Sequence, residues 1–135
     1  LPNGATTGNI SVTTPNGTVS SASNFTVNDL PSLSPITGNT TICPNTSTIL
    51  SNATVGGLWS STNPGVATIN TGGQVSGMSS GTTSITYTIT DGNNCSNATN
   101  TNVTVQTAPT LSGPDAVCVG NSISISPTVG GTWTS

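Results

Sequence analysis

The stretch from residue 84 to residue 90, SITYTIT, most constrains the fold of this chain, because apolar and hydroxyl-bearing residues alternate in it without interruption. Successive side chains of a β-strand point to opposite faces of a sheet, so this pattern predicts a half-buried strand. Shorter alternations of the same kind occur at Ile10/Val12, Phe25/Val27, Val103/Val105 and Ile123/Ile125. Turn-forming residues separate them, and no stretch has a helical period. The sequence therefore predicts an all-β fold of short strands, as in a Greek-key sandwich.

The chain carries almost no charge. Its 135 residues include no Lys, Arg or His and only three Asp, and 28 Thr, 20 Ser and 16 Asn supply the polarity instead. Without cations the chain has no electrostatic footprint for phosphate, which argues against nucleic acid as a partner and against a basic membrane-binding surface. No apolar run approaches the ~20 residues of a membrane span, and no signal-peptide pattern is present. If the chain is exported, we expect it to be an internal part of a longer protein.

Residues 36–61 and 111–135 share one pattern, which reads ITGNTTICPNTSTILSNATVGGLWSS in the first segment and LSGPDAVCVGNSISISPTVGGTWTS in the second. The matched pairs are Gly38/Gly113, Cys43/Cys118, Leu50/Ile125 and Trp59/Trp133. The offset is 75 residues at the cysteines (118 − 43) and 74 at the tryptophans (133 − 59), so one deletion aligns the segments. This repetition predicts a module of about 75 residues whose second copy starts near residue 111.

The run LWSSTNPGVATINTGGQVSGMSSGTTSITYTIT resembles the bacterial immunoglobulin-like group 2 repeat. The matching sequence motifs are WSSTNP at 59–64, VAT at 66–68, GQVSG at 73–77 and GTTSITY at 81–87. The resemblance covers residues of about 32–107 and restarts at about 110. The opening LPNGATTGNISVTTPNGTVSSASNFTV is similar to the C-terminal hairpin of a TIG-type immunoglobulin-like domain.

This resemblance implies tandem immunoglobulin-like β-sandwich modules that are incomplete at both ends. Residues 1–29 would be the C-terminal hairpin of a TIG-like domain, 30–108 a complete bacterial module, and 109–135 the opening strands of a second module. The residues expected to face inward in the complete module are Trp59, Ile85, Tyr87, Ile89, Val103 and Val105. Trp59 has a second interpretation, as a surface on which a sugar stacks. A one-residue slip would expose Tyr87 and bury its neighbours, so the prediction of the inward face is specific.

The resemblance also gives the cysteines a structural interpretation. One module holds Cys43, Trp59 and Cys95, by analogy with the Cys…Trp…Cys order of immunoglobulin domains. We therefore expect a Cys43–Cys95 disulfide, with Cys118 unpaired or bridged to a residue outside the sequence. This bridge would stabilise the module by roughly 4 kcal/mol and would imply an oxidising compartment. The alternatives are two buried free cysteines or, against the lack of His and of paired Cys spacing, a metal site.

The inventory of residues argues against catalysis. General acid–base chemistry needs His, Lys or a tuned carboxylate, but His, Lys and Glu are absent and the three Asp stand in separate turns or linkers. No Ser or Thr has a visible base to activate it. We therefore expect a non-enzymatic chain without a cofactor. Asp91-Gly92-Asn93-Asn94 could offer oxygens to Ca²⁺, but a hairpin turn explains the same residues, and we predict no metal ligand.

Nine Asn residues head an Asn-x-Ser/Thr acceptor for N-linked glycans. These glycosylation candidates are Asn9, Asn16, Asn24, Asn39, Asn45, Asn52, Asn94, Asn97 and Asn102. Attached glycans would help a surface with so little charge to stay soluble, and O-linked sugars would serve equally well. A chain rich in Thr, Ser and Asn also produces such acceptors by composition alone, so both interpretations stay open.

Two classes of function fit these observations. The first is structural: a segment of a large secreted or cell-surface tandem-repeat protein, acting as an extracellular stalk or filament, with neighbouring immunoglobulin-like modules as partners. The second is a binding module, either an adhesin tip or a carbohydrate-binding accessory domain. We favour the first, because the few aromatic residues stand at core-like positions. The incomplete ends would belong to a continuous longer array, or would be completed by strand donation between chains. We favour the array, because the two ends resemble different families.

Overall fold

The computed structural model describes residues 4–107 and 110–127. Within these ranges the secondary structure consists of twelve strands without a helix, which confirms the all-β prediction. Consistently, the described residues contain no helix long and apolar enough to cross a membrane. The strands are β1 Ser11–Thr14, β2 Gly17–Ser20, β3 Ile36–Gly38, β4 Thr41–Ile42, β5 Ser47–Asn52, β6 Leu58–Ser61, β7 Ala67–Ile69, β8 Gln74–Gly77, β9 Gly81–Thr90, β10 Ser96–Val105, β11 Leu111–Ser112 and β12 Ser126–Pro127.

Strands β3 to β10 form two four-stranded sheets in a sandwich-like arrangement around one core. One sheet has the order β4-β10-β9-β6, and the other has the order β3-β5-β8-β7. All neighbours within these sheets are antiparallel except β4 and β10, which run parallel. The buried core cluster takes residues from both sheets, namely Ile42, Leu50, Ala67, Val75, Ile85, Val103 and Val105.

The side chains of β9 and β10 face as the alternation predicts. Ile85, Tyr87, Val103 and Val105 are buried, whereas the alternate positions of the same strands are half-buried or exposed. Ile89, near the end of β9, is only half-buried. The sequence prediction missed buried Thr83, although it continues the inward row of β9 by one position. Its hydroxyl accepts a hydrogen bond from the backbone N–H of Asn63 at 2.9 Å and so anchors the loop after β6.

The beginning of the chain forms a small separate hairpin. Strand β1 pairs with β2, and Gly8 bridges to Phe25 beside them. The apolar side chains Ile10, Val12, Val19 and Phe25 are all exposed. A two-stranded hairpin has no second layer to cover its apolar face, so exposure follows directly from its size.

The segment after residue 110 has a single short pairing, between β11 and β12. The alternation at Ile123/Ile125 predicted a strand there, and this prediction is wrong, because regular pairing begins only at Ser126. The matching strand β5 is held on both sides, by β3 and by β8. Residues 121–125 pair with no second strand among the described residues, which explains their irregular backbone. Trp133 and its VGGTWTS stretch lie outside the described residues.

Candidate functional site

The structure places the two predicted disulfide partners at opposite ends of one strand. Ile42, next to Cys43, pairs with Val105 at the end of β10, whereas Cys95 directly precedes the start of β10. Ten strand residues separate the two ends by about 33 Å, and a disulfide needs Cα atoms within about 7 Å. All three cysteines are free, with Cys43 and Cys118 exposed and Cys95 half-buried. The prediction of a Cys43–Cys95 disulfide is therefore wrong, and it gives no support for an oxidising compartment.

The glycosylation candidates divide into two groups by environment. Seven of the nine are exposed, whereas Asn52 and Asn97 are half-buried. The Nδ2 amide of Asn52 donates to the Ser34 carbonyl at 2.7 Å, and that of Asn97 donates to the Pro31 carbonyl at 2.9 Å. An N-linked sugar is attached at this same nitrogen, so a glycan there would have to fit beside a hydrogen bond that holds the first residues of the sandwich. Glycosylation of the exposed seven stays a prediction.

The Asp91 segment forms a tight turn between β9 and β10. One carboxylate oxygen of Asp91 accepts the backbone N–H groups of Asn93 and Cys95, both at 2.9 Å. The left-handed backbone of Asn94, with φ of 60°, completes the turn. Asn tolerates this conformation better than most residues do. The hairpin interpretation thus accounts for the carboxylate, and no group of three or more His, Cys, Asp or Glu residues within the described ranges could hold a metal ion.

The structure brings four distant segments together around an open cleft of about 200 Å³ at one side of the sandwich. The lining residues are Leu50, Ser51, Asn52, Trp59, Thr71, Gly72 and Tyr87. Trp59 packs against the core cluster and also lines this cleft, so both interpretations of Trp59 from the sequence apply in part. Ser51, Thr71 and Gly72 could not be predicted as lining residues, because only the fold brings them near Trp59.

Two aromatic rings form the apolar part of the cleft. The centroids of Trp59 and Tyr87 lie 4.6 Å apart, and their planes are tilted by 49°. Offset and tilted arrangements at this distance are favourable for aromatic pairs. The Tyr87 hydroxyl donates to the Thr54 carbonyl and accepts from the Gly57 N–H, each at 2.8 Å. Tyr87 is therefore fixed at both its ring and its hydroxyl.

Glycines on both sides of the aromatic pair allow the chain to approach it closely. A Cβ at Gly57 would lie 2.5 Å from the Tyr87 ring. A Cβ at Gly73 would clash with the Leu50 carbonyl and lie 3.4 Å from Trp59 Nε1, and Gly73 has a φ of +81°. Only glycine fits such positions without strain. The Gly-Gly pairs before Trp59 and before Gln74 are thus part of the construction of the cleft.

The polar groups of the cleft differ in whether they already have partners. Both polar atoms of the Asn52 side chain have a partner, because Nδ2 donates to the Ser34 carbonyl and Oδ1 accepts from the Thr54 N–H at 2.9 Å. By contrast, no described residue forms a hydrogen bond with the side chains of Ser51, Thr71 or Trp59. No buried side-chain nitrogen or oxygen among the described residues lacks a partner. Ser51 lies between the inward-facing Leu50 and Asn52 on β5, so the alternation of the strand directs its side chain to the outer face of that sheet, away from Trp59.

No family model matches the chain, and neither a curated protein nor a solved structure matches it.

Proposed function

We propose that this chain is a structural segment of a large secreted or cell-surface protein, in which immunoglobulin-like modules follow one another as an extracellular stalk or filament. The observation that carries the proposal is a repeated strand pairing. In β3 and β5, Ile36 pairs with Asn52 and Thr37 with Ser51. In β11 and β12, the positions 75 residues further on pair in the same register, Leu111 with Pro127 and Ser112 with Ser126.

The turn before each second strand repeats as well. The Thr46 N–H donates to the Cys43 carbonyl at 3.2 Å, and the Asn121 N–H donates to the Cys118 carbonyl at 3.0 Å. Asn45 has a φ of 59°, and Gly120, its counterpart, has a φ of 89°. The same register and turn at one offset support the interpretation that residues 110–127 begin a second copy of the module.

The strand order supports an immunoglobulin-like assignment. Constant-type immunoglobulin sandwiches have the sheets ABED and CFG. If β3 is strand A, then β5, β8 and β7 follow in the order B, E, D, and the second sheet contains G, F and C as β10, β9 and β6. Trp59 then lies on strand C, where immunoglobulin domains carry their buried Trp. The core positions of strands B and F hold Leu50, Ile85 and Tyr87 instead of cysteines.

The path of the chain supports a spacer function. The chain enters the sandwich at Pro31, which contacts Asn97 near the start of β10. It leaves after Gln106, whose N–H donates to the Ile42 carbonyl at the other end of β10. Entrance and exit therefore lie about 33 Å apart at opposite ends. Modules connected in this way extend end to end instead of folding back.

Labelling of intact source cells tests the proposed location. Cys43 and Cys118 are exposed thiols, so a membrane-impermeant maleimide, added after mild reduction, should label the protein before the cells are lysed. Labelling only after lysis would contradict an extracellular stalk. The intact mass of the native protein tests the array: a mass several times 13.2 kDa is expected, whereas a species near 13.2 kDa would favour chains that complete one another by strand donation.

The binding-module alternative is favoured by one observation, the cleft around Trp59. A stalk and a binding site are compatible in one module.

A further inference from the structure

We propose that the first strands of the sandwich, β3 and β4, form a mechanical clamp that keeps the module folded when the chain is pulled lengthwise. The use of such a clamp rests on the proposed spacer function, because a stalk or filament transmits tension through its modules. The clamp itself follows from the directions of the strands and from the hydrogen bonds that hold residues 31–42.

The parallel pair of β4 and β10 lies where the tension must pass. Ile42 pairs with Val105, and both strands run toward the end of the sandwich at which the chain leaves. Tension pulls β4 through its first residue, toward the entrance at Pro31, and pulls β10 through its last residue, toward the exit. The two strands therefore have to slide past each other along their length before they can separate.

The hydrogen bonds of this pair join the two strands sideways, across the direction of the pull. The Thr104 N–H donates to the Thr40 carbonyl at 2.8 Å. The Gln106 N–H donates to the Ile42 carbonyl at the same distance. Because tension along the strands loads both bonds at once, they have to fail together.

Strand β3 is held in a similar way, with side-chain anchors before it. It pairs antiparallel with β5 over Ile36–Gly38. The Asn97 side chain donates to the Pro31 carbonyl at 2.9 Å. The Asn52 side chain donates to the Ser34 carbonyl at 2.7 Å. Tension that enters the module therefore meets these bonds first and the bonds of β4 after them.

The hairpin of β1 and β2 has the opposite geometry within the same chain. The chain enters and leaves this hairpin at one end, where Ser11 pairs with Ser20. Tension separates that pair first and each following pair in turn, so one pair at a time resists the pull. The hairpin should open at a low force, which makes it an internal reference for the sandwich.

Single-molecule stretching of the 135-residue chain by its two ends tests the proposal. The hairpin should extend first, at low force. The sandwich should then open at a higher force, in a step of about 230 Å, from residues 31–106 at about 3.4 Å each less a folded span of about 33 Å.

A second direction of pulling is the control. Handles are attached at the C-terminus and at Cys43, which is exposed and follows β4, in a Cys95→Ser/Cys118→Ser variant. This direction separates β4 from β10 one bond at a time, so the sandwich should open at about half the end-to-end force. Equal forces in the two directions, or an end-to-end force as low as that of the hairpin, would overturn the clamp. The labelling of intact cells decides the spacer function separately.

Two variants distinguish the clamp from general stability. Gln106→Pro removes the N–H that donates to the Ile42 carbonyl, at an exposed position. It should raise the rate of opening at a fixed end-to-end tension about five-fold, the effect of one hydrogen bond. Thr83→Val removes a buried hydroxyl that bonds the loop after β6, outside the clamp. It should lower the urea midpoint but change the rate of opening under tension less than about two-fold. Equal rates for the two variants would contradict the assignment of the clamp.

Discussion

Leu50 lies within the paired strand β5, whereas Ile125, 75 residues further on, lies just before β12, and the two residues differ in burial. Leu50 is 1% exposed at the centre of the core, whereas Ile125 is 38% exposed. The same difference holds for Ile42, which is 6% exposed, and for its counterpart Val117, which is 51% exposed. The turn and two residue pairs thus repeat, whereas the burial of the side chains does not.

This difference separates local from long-range causes of structure. The turn, the left-handed residue before the strand and the short antiparallel pairing depend on residues within about 17 positions of one another, and they form in both segments. Burial of Leu50 needs β8 beside it in the same sheet and the sheet with β9 and β10 opposite it, and these strands come from residues up to 105. The segment from 110 to 127 has only the local part of the module.

Replacement of the matched apolar pair should show the largest effect. Leu50→Ala leaves a cavity in a packed core and should cost about 3 kcal/mol of unfolding free energy. Ile125→Ala removes partly exposed methyl groups and should cost less than about 1 kcal/mol. Urea unfolding followed by fluorescence of Trp59 in a Trp133→Phe background measures both. Equal losses would break the comparison, because they would mean that the second segment is packed as well as the first.

The matched glycines Gly38 and Gly113 should show the next largest difference. A Cβ at Gly38, where φ is +129°, would lie 2.5 Å from the Ile49 carbonyl inside the sandwich. At Gly113, with φ of +150°, the closest atom is the Ser124 carbonyl at 3.0 Å, in a segment that can shift. We expect Gly38→Ala to cost about 2 kcal/mol and Gly113→Ala under about 1 kcal/mol. Thermal unfolding of both variants checks the order, and the reverse order would contradict it.

A smaller effect is expected for Tyr87, in the part of the module that residues 110–127 do not repeat. Tyr87→Phe keeps the ring against Trp59 but removes the hydroxyl that joins Thr54 and Gly57. The loss should be about 1 kcal/mol, the usual net value of a buried hydrogen-bonded hydroxyl. Thr88→Val, on the outward side of the same strand, is the matched control and should change the unfolding free energy by less than about 0.5 kcal/mol. An effect of Tyr87→Phe as small as that of the control would show that the hydroxyl does not secure this loop.

The smallest change is expected in the repeated turn itself. Asn45 and Gly120 hold the same left-handed position, so Asn45→Gly should change stability by no more than about 0.5 kcal/mol. Urea unfolding followed by fluorescence of Trp59 measures this change. A loss above about 1 kcal/mol would mean that the two turns are not equivalent, which would weaken the evidence for the repeat.

The sequence predicted features of the fold that depend on residues near one another in the chain, but not features that depend on residues far apart in it. Alternation alone predicted that Ile85 and Tyr87 face inward. The same alternation, continued by two residues, predicts that Thr83 also faces inward. The disulfide prediction was wrong because it relied on the immunoglobulin-like order Cys43…Trp59…Cys95. Both cysteines lie at turns, outside the alternating stretches. The cleft could not be predicted, since Ser51, Thr71 and Tyr87 meet only after both sheets have formed.

Electron microscopy of the native protein tests the central claim, that copies of one module follow each other end to end. With about 33 Å along β10 and a short connection, density should repeat at intervals of about 40 Å along a single axis. Each repeat should fit one eight-stranded sandwich such as that of residues 31–107. Compact particles without an axial repeat, or repeats that do not fit this sandwich, would contradict the account.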